Sequence, residues 1–182
     1  MVTIALVSGS TRSASTNTAA LRTIAELASP PVHTDLYDGL PDLPAFNPDV
    51  TDAGPAVDDL RRRLTEADAV LICSPEYAGT LPGSLKNLID WTVGSGELNR
   101  KPVAFINVAA LGRGSGADAT LRTVLGYVDA DLIEAACVRV PVARDDVGPT
   151  GTVISEDTRS ALAAVLSAIV DHLRTVVPID QT

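Results

Sequence analysis

The sequence predicts an α/β fold of the doubly wound kind, a five-stranded parallel sheet with helices on both faces. Two observations predict it: short apolar runs alternate with helix-period segments from end to end, and those runs are continuously apolar rather than alternating. A strand covered on one face shows alternation; a strand covered on both loses it. The clearest strand candidates are residues 2–7, 69–73 and 103–108, with weaker ones at 32–36 and 133–140. Between them apolar positions recur at helical spacing, as in Ala20, Leu21, Ile24 and Leu27, in Val57, Leu60, Leu64 and Ala67, and in Leu121, Val124, Leu125 and Val128. The last helix carries Leu162, Val165, Leu166, Ile169, Val170 and Leu173. It opens after Ser155 with Glu156 and Asp157, a cap followed by acids that complement the positive end of a helix. Residues 141–152, with their Pro, Gly and Asp content, read as an exposed loop. No repeat, low-complexity tract or linker divides the chain, so residues 1–182 are expected to form one domain.

Composition narrows the partners. An apolar fraction of 46% with 20% charged residues suits a globular enzyme that buries a core without disulfides or metal staples. The two cysteines, Cys73 and Cys137, each lie in an apolar stretch and read as small core residues, which fits a reducing, cytoplasmic compartment. The first apolar run has no basic flank and is too short for a signal peptide or a membrane span, so neither export nor anchoring is expected. A net charge of -9, spread along the chain, disfavours nucleic acid and anionic membrane as partners and leaves a small molecule.

The loop after the first strand reads Ser8-Gly9-Ser10-Thr11-Arg12-Ser13-Ala14-Ser15-Thr16-Asn17, and a helix follows. A strand-to-helix turn in a parallel sheet aims helix N–H groups at the carboxyl edge of the strands, where anions bind. Hydroxyls, one arginine and one asparagine all donate to phosphate oxygens. The glycine spacing of a dinucleotide fold and the Gly-Lys-Ser/Thr of a P-loop are both missing, so the loop suits a terminal monophosphate, such as that of FMN. A plain polar turn with a Ser or Asn cap is the competing reading.

After the third strand the chain runs Ser74-Pro75-Glu76-Tyr77-Ala78-Gly79-Thr80-Leu81-Pro82-Gly83-Ser84-Leu85-Lys86-Asn87-Leu88-Ile89-Asp90-Trp91. Its prolines and glycines make a loop of fixed shape, whose backbone can pair with the edge of a planar ring while Tyr77 covers apolar surface.

Taken together, the two segments resemble the paired signatures of the NADPH-dependent FMN reductase family, a flavodoxin-like group that includes chromate, quinone and azo-dye reductases. The first motif, Gly-Ser-x-Arg-x-x-Ser-x-Asn, is met by Gly9, Ser10, Arg12, Ser15 and Asn17. The second, Pro-Glu-Tyr followed by Pro-Gly and Leu-Lys-Asn-x-Ile-Asp-Trp, is met by Pro75, Glu76, Tyr77, Pro82, Gly83, Leu85, Lys86, Asn87, Ile89, Asp90 and Trp91. The segment Leu43-Pro44-Ala45-Phe46-Asn47-Pro48-Asp49 also resembles the family's connection between second strand and second helix.

The resemblance implies a flavodoxin-like sheet holding FMN, with NADPH or NADH as electron donor. It implies that Ser10, Arg12, Ser15, Thr16 and Asn17 hold the phosphate and that Pro75, Glu76, Tyr77 and Ala78 contact the isoalloxazine. Ala110, Leu111 and Gly112 would add backbone contacts. The acceptor would be small: a quinone, an azo compound, a metal oxyanion or free flavin. The chemistry would sit on FMN with no catalytic side chain, and the assembly would be a homodimer or homotetramer. One departure stands out: the family commonly has Asn after the Tyr, where this chain has Ala78.

The other polar residues have quieter readings. Lys86, Asn87 and Asp90 are expected to cap, pack or meet a second subunit, Trp91 to anchor a core or an interface, and Glu76 to orient its loop. Arg113 reads as a solvated loop arginine, with a nicotinamide cofactor's phosphate as its alternative partner. His33 and His172 lack the neighbours of a metal site, and no serine lies in a Gly-x-Ser-x-Gly elbow. Two rival functions remain, a flavodoxin-type electron carrier and a non-flavin phosphate-binding module on the same fold.

Overall fold

The computed structural model describes residues 1–176. Its elements run β1 (Val2–Ser8), α1 (Thr16–Leu27), β2 (Val32–Tyr37), α2 (Pro55–Glu66), β3 (Ala69–Cys73), α3 (Gly83–Val93) and β4 (Pro102–Asn107). They continue with α4 (Ser115–Tyr127), β5 (Asp131–Leu132), β6 (Val138–Arg139) and α5 (Glu156–Val176). The strands are parallel in the order β2-β1-β3-β4-β5, and β6 also pairs with β4.

Continuous apolar character in the strands has the cause the sequence suggests. Along β1, Ile4 and Leu6 enter one core with Leu21, Ile24, Leu162 and Ile169 of α1 and α5. Ala5 and Val7 enter the other with Leu60, Leu85, Ile89 and Leu121 of α2, α3 and α4. Each fully buried aliphatic side chain stabilises the fold by roughly 1.5–3 kcal/mol, so each buried apolar position of such a strand resists polar replacement.

The fifth strand is a correction. Residues 133–140, read as one strand, are interrupted by a 3₁₀ turn at Glu134–Ala136, which leaves two short pairings: Pro102 and Val103 with β5, Ile106 and Asn107 with β6. A 3₁₀ turn puts residues three apart on one side, and here Ile133 and Ala136 both face the core, 2% and 0% exposed. The turn therefore buries the same apolar residues that an extended strand would. Residues 141–152 form the loop expected of them, with half of its residues exposed, but the loop is pinned to the body of the fold. Val142 donates its N–H to Val108 and is buried, Thr152 is buried, and Val147 bridges to Val153.

The α3 helix explains why its motif residues belong together. Asn87 accepts from the Phe46 N–H at 2.7 Å and donates to the Pro44 carbonyl at 2.9 Å; the Trp91 indole donates to that carbonyl at 2.8 Å. The Phe46 ring meets Trp91 edge-on, and Trp91 is only 2% exposed, so it is a core anchor within this chain. Lys86 pairs with Asp90 one turn on. Among the described residues no helix is long and apolar enough to cross a membrane.

Candidate functional site

The carboxyl ends of β1, β3 and β4 converge on one cavity of about 760 Å³, within the range of small-molecule and cofactor sites. Three connections line it. Ser10, Arg12, Ser15, Thr16 and Asn17 come from the loop after β1; Ser74, Pro75, Glu76 and Tyr77 come from the loop after β3; Ala109, Ala110, Arg113 and Gly114 come from the loop after β4. The structure thus brings together nine of the twelve binding residues expected from the sequence.

The first loop is held from behind and open in front. Ser15 caps α1 by accepting from the Thr18 N–H, and Ser10 Oγ accepts from the Arg12 N–H at 3.3 Å. In each case the hydroxyl oxygen is engaged while its own hydrogen remains to donate. Asn17 is buried; its carbonyl oxygen accepts from Cys73 Sγ at 3.3 Å, which orients its amide. That thiol is fully buried, and burial pushes its pKa up, so it serves as a neutral donor and not as a reactive thiolate. The first amides of α1, on Thr16 and Asn17, have no carbonyl within the helix to meet. Arg12 is exposed and pairs with no described carboxylate.

The second loop turns back on itself. Tyr77 and Thr80 exchange N–H···O bonds of 2.9 and 3.1 Å around Ala78 and Gly79, whose φ values are +51° and +77°. This is a two-residue turn with left-handed backbone at both central positions, the geometry for which Asn-Gly is favoured. The backbone so explains why Asn is common where this chain has Ala78. Glu76 accepts from the Gly116 and Ala117 N–H groups at 2.7 and 3.1 Å, capping α4 from another loop. These bonds tie the loop after β3 to the start of α4. A Cβ on Gly116 would lie 2.0 Å from the Gly79 carbonyl oxygen, so only glycine lets α4 approach this closely. Gly9 likewise leaves room for Ser74 and Leu85.

Three of the expected contact residues stand outside the cavity. Ala78 is taken up by the turn. Leu111 and Gly112 form the tip of a turn closed by Arg113 N–H to Ala110 C=O, with Leu111 83% exposed. The third loop takes its shape from residues that sequence reasoning passed over. Asn107 donates to the Gly114 carbonyl and to Asp118, and accepts from the Ala109 N–H. Arg139, at the end of β6, donates to the carbonyls of Ala109, Ala110 and Arg113. Val142 and Arg144, also unforeseen, close the cavity from residues 141–152.

The local charge opposes that of the whole chain. Eight of the twelve arginines pair with a described carboxylate. The other four, Arg12, Arg22, Arg113 and Arg144, all line this cavity or the one adjoining it. An acidic protein that gathers these four arginines at one cleft presents a site for an anion. Among the described residues no group of three or more His, Cys, Asp or Glu is placed to hold a metal.

Comparison with known proteins agrees with this geometry. The family model for NADPH-dependent FMN reductases matches residues 2–145. The chain is 33% identical to an NAD(P)H-dependent FMN reductase of Pseudomonas aeruginosa, over 90% of both chains. It is 32% identical to a quinone reductase of Escherichia coli, over 92% of this chain and 93% of that one. In three dimensions it superimposes on a flavoenzyme NAD(P)H:(acceptor) oxidoreductase from Paracoccus denitrificans with a TM-score of 0.80 and 29% identity, covering 96% and 98% of the two chains.

Proposed function

The chain belongs to the NADPH-dependent FMN reductase family, and from that premise we propose that its cavity holds FMN and serves a small quinone as electron acceptor. It is an FMN-dependent oxidoreductase that draws electrons from NAD(P)H. The observation that carries the site reading is that one cavity is lined at once by the donor-rich loop, the rigid shelf and three arginines that pair with no described carboxylate, Arg12, Arg113 and Arg144.

The residues fit FMN. Its phosphate is dianionic or nearly so, and Arg12 with the hydroxyls of Ser10, Ser15 and Thr16, the Asn17 amide and the first amides of α1 would hold it. Pro75, Glu76, Tyr77 and Ala110 would border the ring, with Glu76 fixed by α4 and Tyr77 half-exposed at the mouth. FMN supplies the two-electron chemistry, so the protein provides binding, orientation and a restricted face rather than a nucleophile.

Tyr77 is the one aromatic residue lining the cavity among the described residues. A ring held between two aromatic side chains, as in an electron carrier, has no second partner here, and one face stays open to donor and acceptor in turn. That arrangement predicts ping-pong kinetics. With NADPH varied at several fixed concentrations of a benzoquinone, double-reciprocal lines run parallel; intersecting lines would contradict a shared site. We also place the protein in the cytoplasm as a homodimer or homotetramer. The exposed Val93 and Tyr127, beside a groove of about 260 Å³, are surface that such an assembly would cover. Light scattering of a Tyr127→Glu variant tests this, the expected result being a smaller particle.

A further inference from the structure

A second cavity, of about 440 Å³, lies beyond the phosphate loop. It shares Arg12, Ala14, Ser15, Thr16 and Arg144 with the first, then continues over α1 to Arg22 and to the turn at residues 148–151. This space is not the FMN ring site, because nothing from the loops after β3 or β4 lines it. Its walls are built. Gly148 and Gly151 close the turn through N–H···O bonds of 2.9 Å, and a Cβ on Gly151 would lie 2.9 Å from Arg22 Nη1, so the bare backbone there leaves room for the guanidinium.

Three arginines, Arg12, Arg22 and Arg144, line this cavity, and none pairs with a described carboxylate. Unpaired cations repel one another and favour a bound anion. A single FMN phosphate held at the first loop accounts for Arg12 and leaves Arg22 out, since Arg22 lines only the second cavity. The volume leaves room for an anion that carries an organic group.

We propose that this second cavity binds the adenosine phosphates of a dinucleotide, with Arg22 and Arg144 on its phosphates and Arg12 standing between them and the FMN phosphate. The inference rests on the first cavity being the FMN site. Adenosine phosphates reach it from one of two sources: the ADP half of the nicotinamide donor, or the adenylate of FAD bound in place of FMN. Arg22 separates these, because it touches neither the ring shelf nor the first cavity.

The test compares the wild-type holoenzyme with Arg22→Ala and Arg22→Lys. It reads KM for NADPH and for NADH with a benzoquinone acceptor, and Kd for FMN and for FAD by flavin fluorescence. Arg22 is exposed, so both variants fold, and an unchanged FMN Kd reports that they have. For Arg22→Ala the KM for NADPH rises about tenfold, as for one lost charge-assisted contact, and lysine restores most of it. A rise for NADPH alone places the 2′-phosphate in the cavity; an equal rise for NADH places the diphosphate there. A tenfold weaker FAD with both donors unmoved assigns the cavity to FAD. If both donor KM values and the FAD Kd stay within twofold of wild type, the proposal is overturned. Failure of the wild-type protein itself to bind FMN would instead overturn the reading of the first cavity, and this one with it.

Discussion

The loop at residues 8–17 leaves its arginine, its hydroxyl hydrogens and two helix amides free toward the cavity, whereas the loop at residues 74–82 turns its polar groups inward. In the second loop Tyr77 bonds Thr80, Glu76 caps α4, and the Thr80 and Thr120 hydroxyls meet at 2.9 Å. On the proposed reading the difference follows from what each would hold. A phosphate is recognised by donors left without partners, and a flat ring by a surface that does not move. On that reading the first loop would contribute affinity at little cost to stability, and the second stability on which affinity depends.

Substitutions that separate these roles sharpen the comparison. The largest effect is expected from Arg12→Ala, which removes a charge-assisted contact: FMN binding weakens roughly 10- to 100-fold by fluorescence titration. The thermal midpoint of the apo-protein stays put, because the side chain is exposed and unpaired. Gly116→Ala does the reverse. Forcing a methyl against the Gly79 carbonyl costs about 1–3 kcal/mol in a urea titration, with FMN weakened only as far as the shelf shifts. The smallest effect is a gain: Ala78→Asn relieves a left-handed alanine and stabilises by about 0.5–1 kcal/mol, read as a higher urea midpoint. A loss at this position would mean that the turn is held by its surroundings and not by its own backbone preference.

The same contrast sets how much was legible in the sequence. Both loops follow strands whose apolar runs are unbroken, and their chemistry is local: hydroxyls and an arginine in one, prolines and glycines in the other. Nine of the expected residues accordingly line the cavity. What escaped is non-local. Arg139 reaches the third loop only because β6 lies beside β4, and Arg144 reaches the cavity only because Val142 is pinned to Val108. The polar composition of residues 141–152 reads as a loop and conceals that packing. Residues 133–140 misled for a related reason. Ile133 and Ala136 are buried by a 3₁₀ turn as well as they would be by a strand, and an apolar run does not tell the two apart. Ala78, Leu111 and Gly112 lie beside residues that do line the cavity, but turns carry them away from it.

The central claim is that one cavity, donors at one end and a rigid shelf at the other, holds FMN where NAD(P)H reduces it. Its most direct test is the anaerobic visible absorbance spectrum of the purified protein with FMN, before and after NADPH or NADH. Bound flavin whose absorbance bleaches on adding a donor is the predicted result; no bound flavin, or bound flavin that stays oxidised with both donors, would contradict it.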